Sequence, residues 1–238
     1  GKTTTCVNLS AALNQLGKRV LLVDGDPQGN ASTGMGVAKS TRPNTYDMLI
    51  NEATAAECVV HTESGDVIPA SKELAATSVE LIGAQAREYV MKNALMTLYS
   101  EYDYIFIDCP PSLELLTVNA LVAADSVLIP MQCEYYALEG IADLVTSIKM
   151  CKKRLNKRLE VEGIVLTMYD ARANLTSQVA AELRKYLEGK VYDTVIPRSI
   201  RLSEAPSHGL PGIVYDKFNK GSRAYMELAR EFIARNEN

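Results

Sequence analysis

Gly1-Lys2-Thr3-Thr4-Thr5 is the stretch whose reading decides the fold. A glycine, a lysine and a hydroxyl residue in succession form the second half of a phosphate-binding loop, G-x-x-x-x-G-K-[ST]. Glycine lets backbone N–H groups close around the phosphates, the lysine neutralises the outer phosphates, and the Ser/Thr hydroxyl ligates Mg²⁺. Thr4 and Thr5 begin a helix whose positive N-terminal dipole faces the same anion. Such a short string also occurs by chance in turns, so its meaning rests on the residues downstream of it.

Val7, Leu9, Ala11, Ala12, Leu13 and Leu16 continue this helix, which Gly17 closes. Arg19 to Asp24 holds a continuous Val-Leu-Leu-Val run that ends in an acid. Such runs suit a parallel strand buried on both faces. The loop Gly25-Asp26-Pro27-Gln28-Gly29-Asn30 then leaves the strand's carboxyl end, where open α/β sheets place their ligands. Tyr104 to Asp108 repeats the pattern, with Cys109-Pro110-Pro111 as the stop. Further strands are predicted at 67–69, 126–130, 163–167 and 191–196. Helices are predicted at 45–49, capped by Asn44 or Thr45, and at 80–99, 113–124, 138–155, 175–187 and 222–234. Alternating strands and helices predict an α/β fold, a mostly parallel sheet with helices on both faces. No repeat, low-complexity tract or linker divides the chain, so residues 1–238 read as a single domain built around the P-loop. Because the sequence starts within the loop, the expectation is a sheet that lacks its first central strand, with the phosphate cradle open on one side.

Composition sets bounds. The 238 residues, 47% hydrophobic and 23% charged, match an ordinary globular protein. A net charge of −4 gives no global attraction to nucleic acid or anionic membranes, so any such binding must come from a local basic patch. The five cysteines Cys6, Cys58, Cys109, Cys133 and Cys151 lack C-x-x-C spacing and read as packed thiols in a reducing cytoplasm. No uninterrupted apolar run is long enough to span a bilayer.

If the sheet is parallel, three pieces converge: the loop at Gly1 to Thr4, the Asp24-Gly25-Asp26 turn, and Asp108 with its prolines. Phosphoryl transfer to water needs charge neutralisation, Mg²⁺ and an aligned water more than covalent help. Lys2 would supply charge. Thr3 and Asp108 would hold Mg²⁺, Asp108 through a water, since Mg²⁺ keeps several waters. Asp26 is left to orient the attacking water, and Asp24 to support the metal's surroundings or the loop. Singly, acids at strand ends merely cap turns and Pro-Pro is punctuation; jointly and in order they favour the functional reading.

Gly1–Thr5, Val23–Asn30, Ile107-Asp108-Cys109-Pro110-Pro111-Ser112, the string 134–140 and Arg201-Leu202-Ser203-Glu204-Ala205-Pro206-Ser207 together resemble the ParA/Soj chromosome-partitioning ATPases over essentially the whole chain. The resemblance implies a deviant Walker A ATPase using ATP and Mg²⁺. It further implies a homodimer around two ATP molecules that binds double-stranded DNA non-specifically, is stimulated by a ParB-like protein, and is cytoplasmic and nucleoid-associated. Residue by residue, it assigns Gly1, Lys2, Thr3 and Thr4 to the phosphates, Thr3 to Mg²⁺, Asp26 to the attacking water and Asp108 to the metal's outer shell. Pro197 and Arg198 fall where the family holds adenine, and Arg172 and Arg201 where similar proteins face DNA. The family's signature lysine belongs upstream of Gly1.

Three other readings are weaker. A MinD-like membrane ATPase would need a basic amphipathic tail after the last helix, where only Arg235-Asn236-Glu237-Asn238 remains, so no membrane partner is expected. A nitrogenase-type reductase would use Cys109 and Cys133 for an iron–sulfur cluster, and both read as packed instead. A nucleotide-locked scaffold would leave Asp26 idle. Lys149, Lys152, Lys153, Arg154, Lys157 and Arg158 crowd the end of one helix, where they read first as a solvated face complementing the helix C-terminus. His61 and His208 add little.

Overall fold

The computed structural model describes residues 1–134, 137–187 and 189–237. The chain opens with α1 (Lys2–Gln15), β1 (Val20–Asp24), α2 (Asn30–Gly34) and α3 (Thr45–Leu49). A hairpin of β2 (Val60–Thr62) and β3 (Gly65–Ile68) comes next, then α4 (Thr77–Glu80), α5 (Val90–Leu95), β4 (Tyr104–Asp108) and α6 (Leu115–Ala123). After these lie β5 (Ser126–Gln132), α7 (Ala137–Arg154), β6 (Glu160–Tyr169), α8 (Asn174–Tyr186) and β7 (Val191–Pro197). The chain ends with α9 (Ile200–Glu204), α10 (Gly212–Tyr215) and α11 (Lys220–Asn236).

The strands fall into two sheets, of order β2-β3-β1-β4 and β5-β6-β7. All pairings are parallel except that of β2 with β3. β1 is flanked on both sides, pairing Leu21 to Val23 with Asp66 to Ile68 and Val20 to Asp24 with Tyr104 to Asp108. Every β1 side chain is buried, as its unbroken apolar run requires. β4 carries an equally apolar sequence yet is only half-buried up to Asp108. Among the described residues no strand pairs with its other edge, nor with the free edge of β5. Helix α1 packs on β1, β4 and β5 and so joins the two sheets.

Packing explains the join. Leu9, Ala12 and Leu13 of α1 meet Tyr225, Leu228 and Phe232 of α11, with Tyr104, Phe106 and Leu128 from β4 and β5 against the same cluster. Burial of each such leucine is worth about 1.5–3 kcal/mol. Tyr104 meets Phe232 edge-on at 5.2 Å between ring centroids, and Thr5 Oγ1 lies 3.1 Å from the Tyr225 hydroxyl. The second sheet has its own cluster, in which Ile148 and Cys151 of α7 and Val179 and Leu183 of α8 cover Ile164 and Leu166.

One predicted helix is not continuous. Residues 80–99 form the end of α4, short 3₁₀ turns at Leu81–Gly83 and Arg87–Tyr89, then α5 and another 3₁₀ turn. Ala86 sits at φ 52°, which interrupts the helix. Asn119 of α6 then donates to Arg87 O at 3.0 Å and accepts from Met91 N at 3.2 Å, using backbone groups that a helix would have paired internally. The string 134–140 lies partly outside the described residues. By contrast, the expected short helix at 45–49 is present: Asn44 caps it, with Asp47 closing the capping box.

Candidate functional site

Three carboxylates gather where β1 and β4 end. Asp24 and Asp108 are register partners, and Gly25 N donates to Asp108 O at 2.9 Å. A Cβ on Gly25 would stand 2.8 Å from that carbonyl, so the turn between the two acids needs glycine. Asp24 is saturated. Its Oδ2 accepts from Ser32 N and Ser32 Oγ, both at 2.7 Å, and its Oδ1 from Asp26 N at 3.2 Å. Ser32 Oγ in turn accepts from Ala70 N at 2.9 Å, tying α2 to the end of β3. Burial raises the Asp24 carboxyl above its ordinary range, and the Ser32 donors oppose the rise. Of the two roles open to Asp24, this geometry matches support of the loop.

Asp26 is 8% exposed, and its Oδ1 accepts from Gln28 N at 2.9 Å, an Asx turn that fixes the loop after β1. Asp108, 1% exposed, differs: neither buried carboxylate oxygen has a donor in good hydrogen-bond geometry, and the Thr3 hydroxyl and Cys6 thiol are the nearby groups that favour its charge. Burial pushes it up to about 6; nearby Thr3 and Cys6 oppose the rise, and Asp24 and Asp26 add to it. The Cys6 thiol is itself pushed well up by burial. A buried carboxylate with idle oxygens, next to a threonine hydroxyl at a helix N-terminus, is a hard-oxygen donor set of the kind that holds a hydrated Mg²⁺. The residues present therefore fit such an ion.

Lys2 is exposed and Thr3 and Thr4 are half-buried in the first turn of α1, which has no side-chain cap. Its first N–H groups thus remain open to an anion. Gly1 abuts the second sheet, since a Cβ there would come within 3.0 Å of Thr167 Oγ1 on β6. A small cleft lined by Gly1, Thr4, Thr167, Pro197, Ser199 and Tyr225 links the loop to the segment after β7. It adjoins a larger cleft of about 1130 Å³ whose walls include Met168, Arg172, Pro197, Arg198, Phe218 and Arg223. Ligand pockets commonly span about 300–1,000 Å³. The fold therefore places Pro197 in one cleft with Gly1 and Thr4, although they are far apart in sequence, while Arg198 lines the adjoining larger cleft.

The two arginines expected to face DNA are both engaged with acids. Arg172 is 90% exposed at its side chain and bonds Asp170 through Nε at 3.1 Å and a terminal nitrogen at 3.2 Å. Arg201 donates to Glu204 at 3.0 Å, lies 3.6 Å from Asp216 and sits 6.0 Å from the Tyr215 ring centroid. Only Arg172 lines the large cleft; Arg201 does not.

Sequence reading passed over Phe218, Lys220 and Arg223 in that cleft. None is marked by a local motif; each is brought there by the return of the chain through α9 to α11. Cys109 packs at the edge of the first sheet's cluster and Cys133 within the second's, and burial raises both thiols, Cys109 to about 12. This agrees with their reading as packed thiols. His61 pairs with Asp66 at 2.7 Å, and His208 stacks on Tyr215.

The family model described as an AAA domain matches residues 1–161. The chain is 53% identical over 237 residues to the sporulation initiation inhibitor protein Soj of Bacillus subtilis (strain 168), covering 98% of this chain and 94% of that one. It is 50% identical over 240 residues to the chromosome partitioning protein ParA of Caulobacter vibrioides (strain NA1000 / CB15N), covering 99% and 90% respectively. Among solved structures, cobyrinic acid a,c-diamide synthase from Mycobacterium smegmatis, with a bound ATP analog and magnesium, superposes with a TM-score of 0.84 at 33% identity, over 96% of this chain and 87% of that one. With an acid-tipped parallel sheet around a GKTT loop and half its residues shared with these relatives, the chain belongs to the ParA/Soj family of chromosome-partitioning ATPases.

Proposed function

We propose that this protein is a Mg²⁺-dependent ATP hydrolase that dimerises on ATP, binds duplex DNA non-specifically and is stimulated by a ParB-like partner to segregate chromosomal or plasmid DNA. The observation that carries the ATPase part is Asp108, whose buried oxygens lack well-aligned donors beside Thr3 and the open N-terminus of α1. When bound, Mg²⁺ would supply charge neutralisation across the outer phosphates. Thr3 and Asp108 are the residues that would hold it, Asp108 through a water. Lys2 and the first N–H groups of α1 bind the phosphates, with Gly1 allowing their close approach. Asp26, held by its turn to Gln28, orients the attacking water. Pro197 and Arg198 border the adenine, in keeping with Pro197 sharing a cleft with Gly1 and Thr4 and Arg198 lining the cleft that adjoins it. The chain acts as one domain, supported by the packing of α1 on both sheets.

DNA binding at Arg172 and Arg201 then requires the phosphates to compete with Asp170, Glu204 and Asp216 for the two guanidinium groups. Affinity through these residues should therefore fall steeply with salt. Among the described residues no helix is long and apolar enough to cross a membrane.

The test is steady-state ATP hydrolysis with and without Mg²⁺, duplex DNA and a ParB-like partner, comparing the protein with Asp26→Ala. The variant is expected to keep ATP binding and lose turnover by about 10²-fold or more. Unchanged turnover would remove Asp26 from its role.

A further inference from the structure

Lys39 is exposed, yet both of its hydrogen-bond partners among the described residues are neutral oxygens of the loop that follows β1. Its Nζ donates to the Gln28 carbonyl and lies 3.4 Å from Asn30 Oδ1. Its stem crosses Gly29, where a Cβ would stand 3.3 Å from Lys39 Cγ and 3.1 Å from Ala70 O. Gly29 caps the N-terminus of α2 in the left-handed region, at φ 61°. A cation beside the first turn of a helix runs against the helix dipole. The two oxygens, and not the helix field, therefore hold the ammonium where it is.

The backbone that carries Lys39 is anchored on both sides of it. Before it, Val37 N donates to Ser32 O at 2.9 Å, and the Val37 side chain packs with Val7, Leu22 and Val67. After it, the Thr45 hydroxyl donates to Asp24 O at 2.8 Å. Both anchors belong to the structure around the end of β1. Much of the entropy of ordering this segment is thus already spent by the fold, and the lysine is presented to the loop rather than left to find it.

What Lys39 grips is the turn that aims Asp26. Gly29 N donates to Asp26 O at 2.9 Å, and Gln28 N donates to Asp26 Oδ1 at 2.9 Å. The single peptide unit between Gln28 and Gly29 therefore gives its N–H to Asp26 and its carbonyl to Lys39. Among the described residues that carbonyl has no other partner. Without the ammonium it faces water, the peptide is free to rotate, and the Asp26 carboxylate moves with it. A misplacement of about 1 Å can cost about 10²-fold in rate. We propose that Lys39 is a positioning residue. It acts through the Gln28–Gly29 peptide to hold the Asp26 carboxylate in the orientation that aligns the attacking water, and it does not touch the nucleotide. This inference rests on the role given above to Asp26.

Lys39→Met keeps a stem over Gly29 and removes the ammonium, whereas Lys39→Arg keeps a charged donor. Amide hydrogen exchange is read first, without nucleotide. In Lys39→Met the Gln28 and Gly29 amides should exchange about fivefold faster or more while the β1 amides keep their rates, and Lys39→Arg should restore the slow exchange. In Mg·ATP turnover, Lys39→Met should lose about tenfold in kcat with KM within about twofold, and Lys39→Arg should recover to within about threefold of the wild type. Tm should stay within about 2 °C in both variants, as for other surface substitutions. The inference is overturned if Lys39→Met keeps wild-type exchange or wild-type kcat. It is equally overturned if KM rises about tenfold or more, since Lys39 would then bind the nucleotide itself. Asp26→Ala is run alongside. Unchanged turnover in that variant removes the reading of Asp26 and this inference with it, whereas reduced turnover there beside wild-type turnover in Lys39→Met removes this inference alone.

Discussion

Asp24 and Asp108 stand side by side at the ends of adjacent parallel strands, carry the same functional group and are both buried. Asp24 has donors on both oxygens, from Ser32 and Asp26, while Asp108 has none in good geometry on either. Their strands differ in the same sense, β1 being enclosed by neighbours on both edges and β4 on one. A satisfied buried carboxylate organises its surroundings. An unsatisfied one costs stability and is retained where a ligand will use it. The comparison assigns Asp24 to architecture and Asp108 to chemistry.

The largest effect expected from this contrast belongs to Asp24→Ala, which strands Ser32 N, the Ser32 hydroxyl and Asp26 N. At about 1–3 kcal/mol for each unpaired buried group, the loss should reach roughly 4 kcal/mol in urea unfolding. A loss under about 1 kcal/mol would erase the distinction. Gly25→Ala comes next, because its Cβ would meet Asp108 O at 2.8 Å. Forcing β1 and β4 apart there should cost about 1–3 kcal/mol, read in the same way. Asp108→Asn is expected to remain within about 1 kcal/mol of the wild type, and above it, since it removes a buried charge whose desolvation outweighs the opposing influence of Thr3 and Cys6. The smallest effect is at Asp103, an exposed partner of Arg19 at 2.7 Å. Arg19 holds its carboxyl down at about 2, below the ordinary 3.8. A lowered carboxyl stabilises above its unfolded value and loses that contribution as pH falls through the folded one. The small difference between wild type and Asp103→Asn should therefore be present at neutral pH and disappear between about 4 and about 2.

The sequence made β1 and β4 legible because each is an unbroken apolar run closed by an acid, and the GKTT loop announced its helix. It could not distinguish the two acids. Ser32 lies eight residues beyond Asp24 in a helix, NASTG, too short to show periodicity. The predicted helix at 80–99 failed for a related reason, since its backbone partners come from Asn119 on another element. The resemblance alone assigns Pro197 and Arg198 to the site, and the cleft that joins Pro197 to Gly1 depends on long-range packing. Arg201 pairs with Glu204 only three residues on, within the 201–207 string, and only its second, longer contact to Asp216 is hidden by a separation of 15 positions. For Arg172, the partner Asp170 stands only two residues off, within an ordinary turn that carries no motif.

The most direct measurement is the shift in Tm produced by Mg·ATP over ATP with a chelator, compared among the wild type, Asp24→Ala and Asp108→Asn. Ligand bound only to the folded state raises Tm, by about 2.7 kcal/mol of stabilisation at a hundredfold excess over Kd. The account predicts that the wild type gains a Mg²⁺-dependent shift. Asp108→Asn should lose it while melting, without ligand, at or above the wild-type temperature. If Asp108→Asn keeps the full Mg²⁺-dependent shift, or melts as early as Asp24→Ala, the division of labour between the two carboxylates is contradicted.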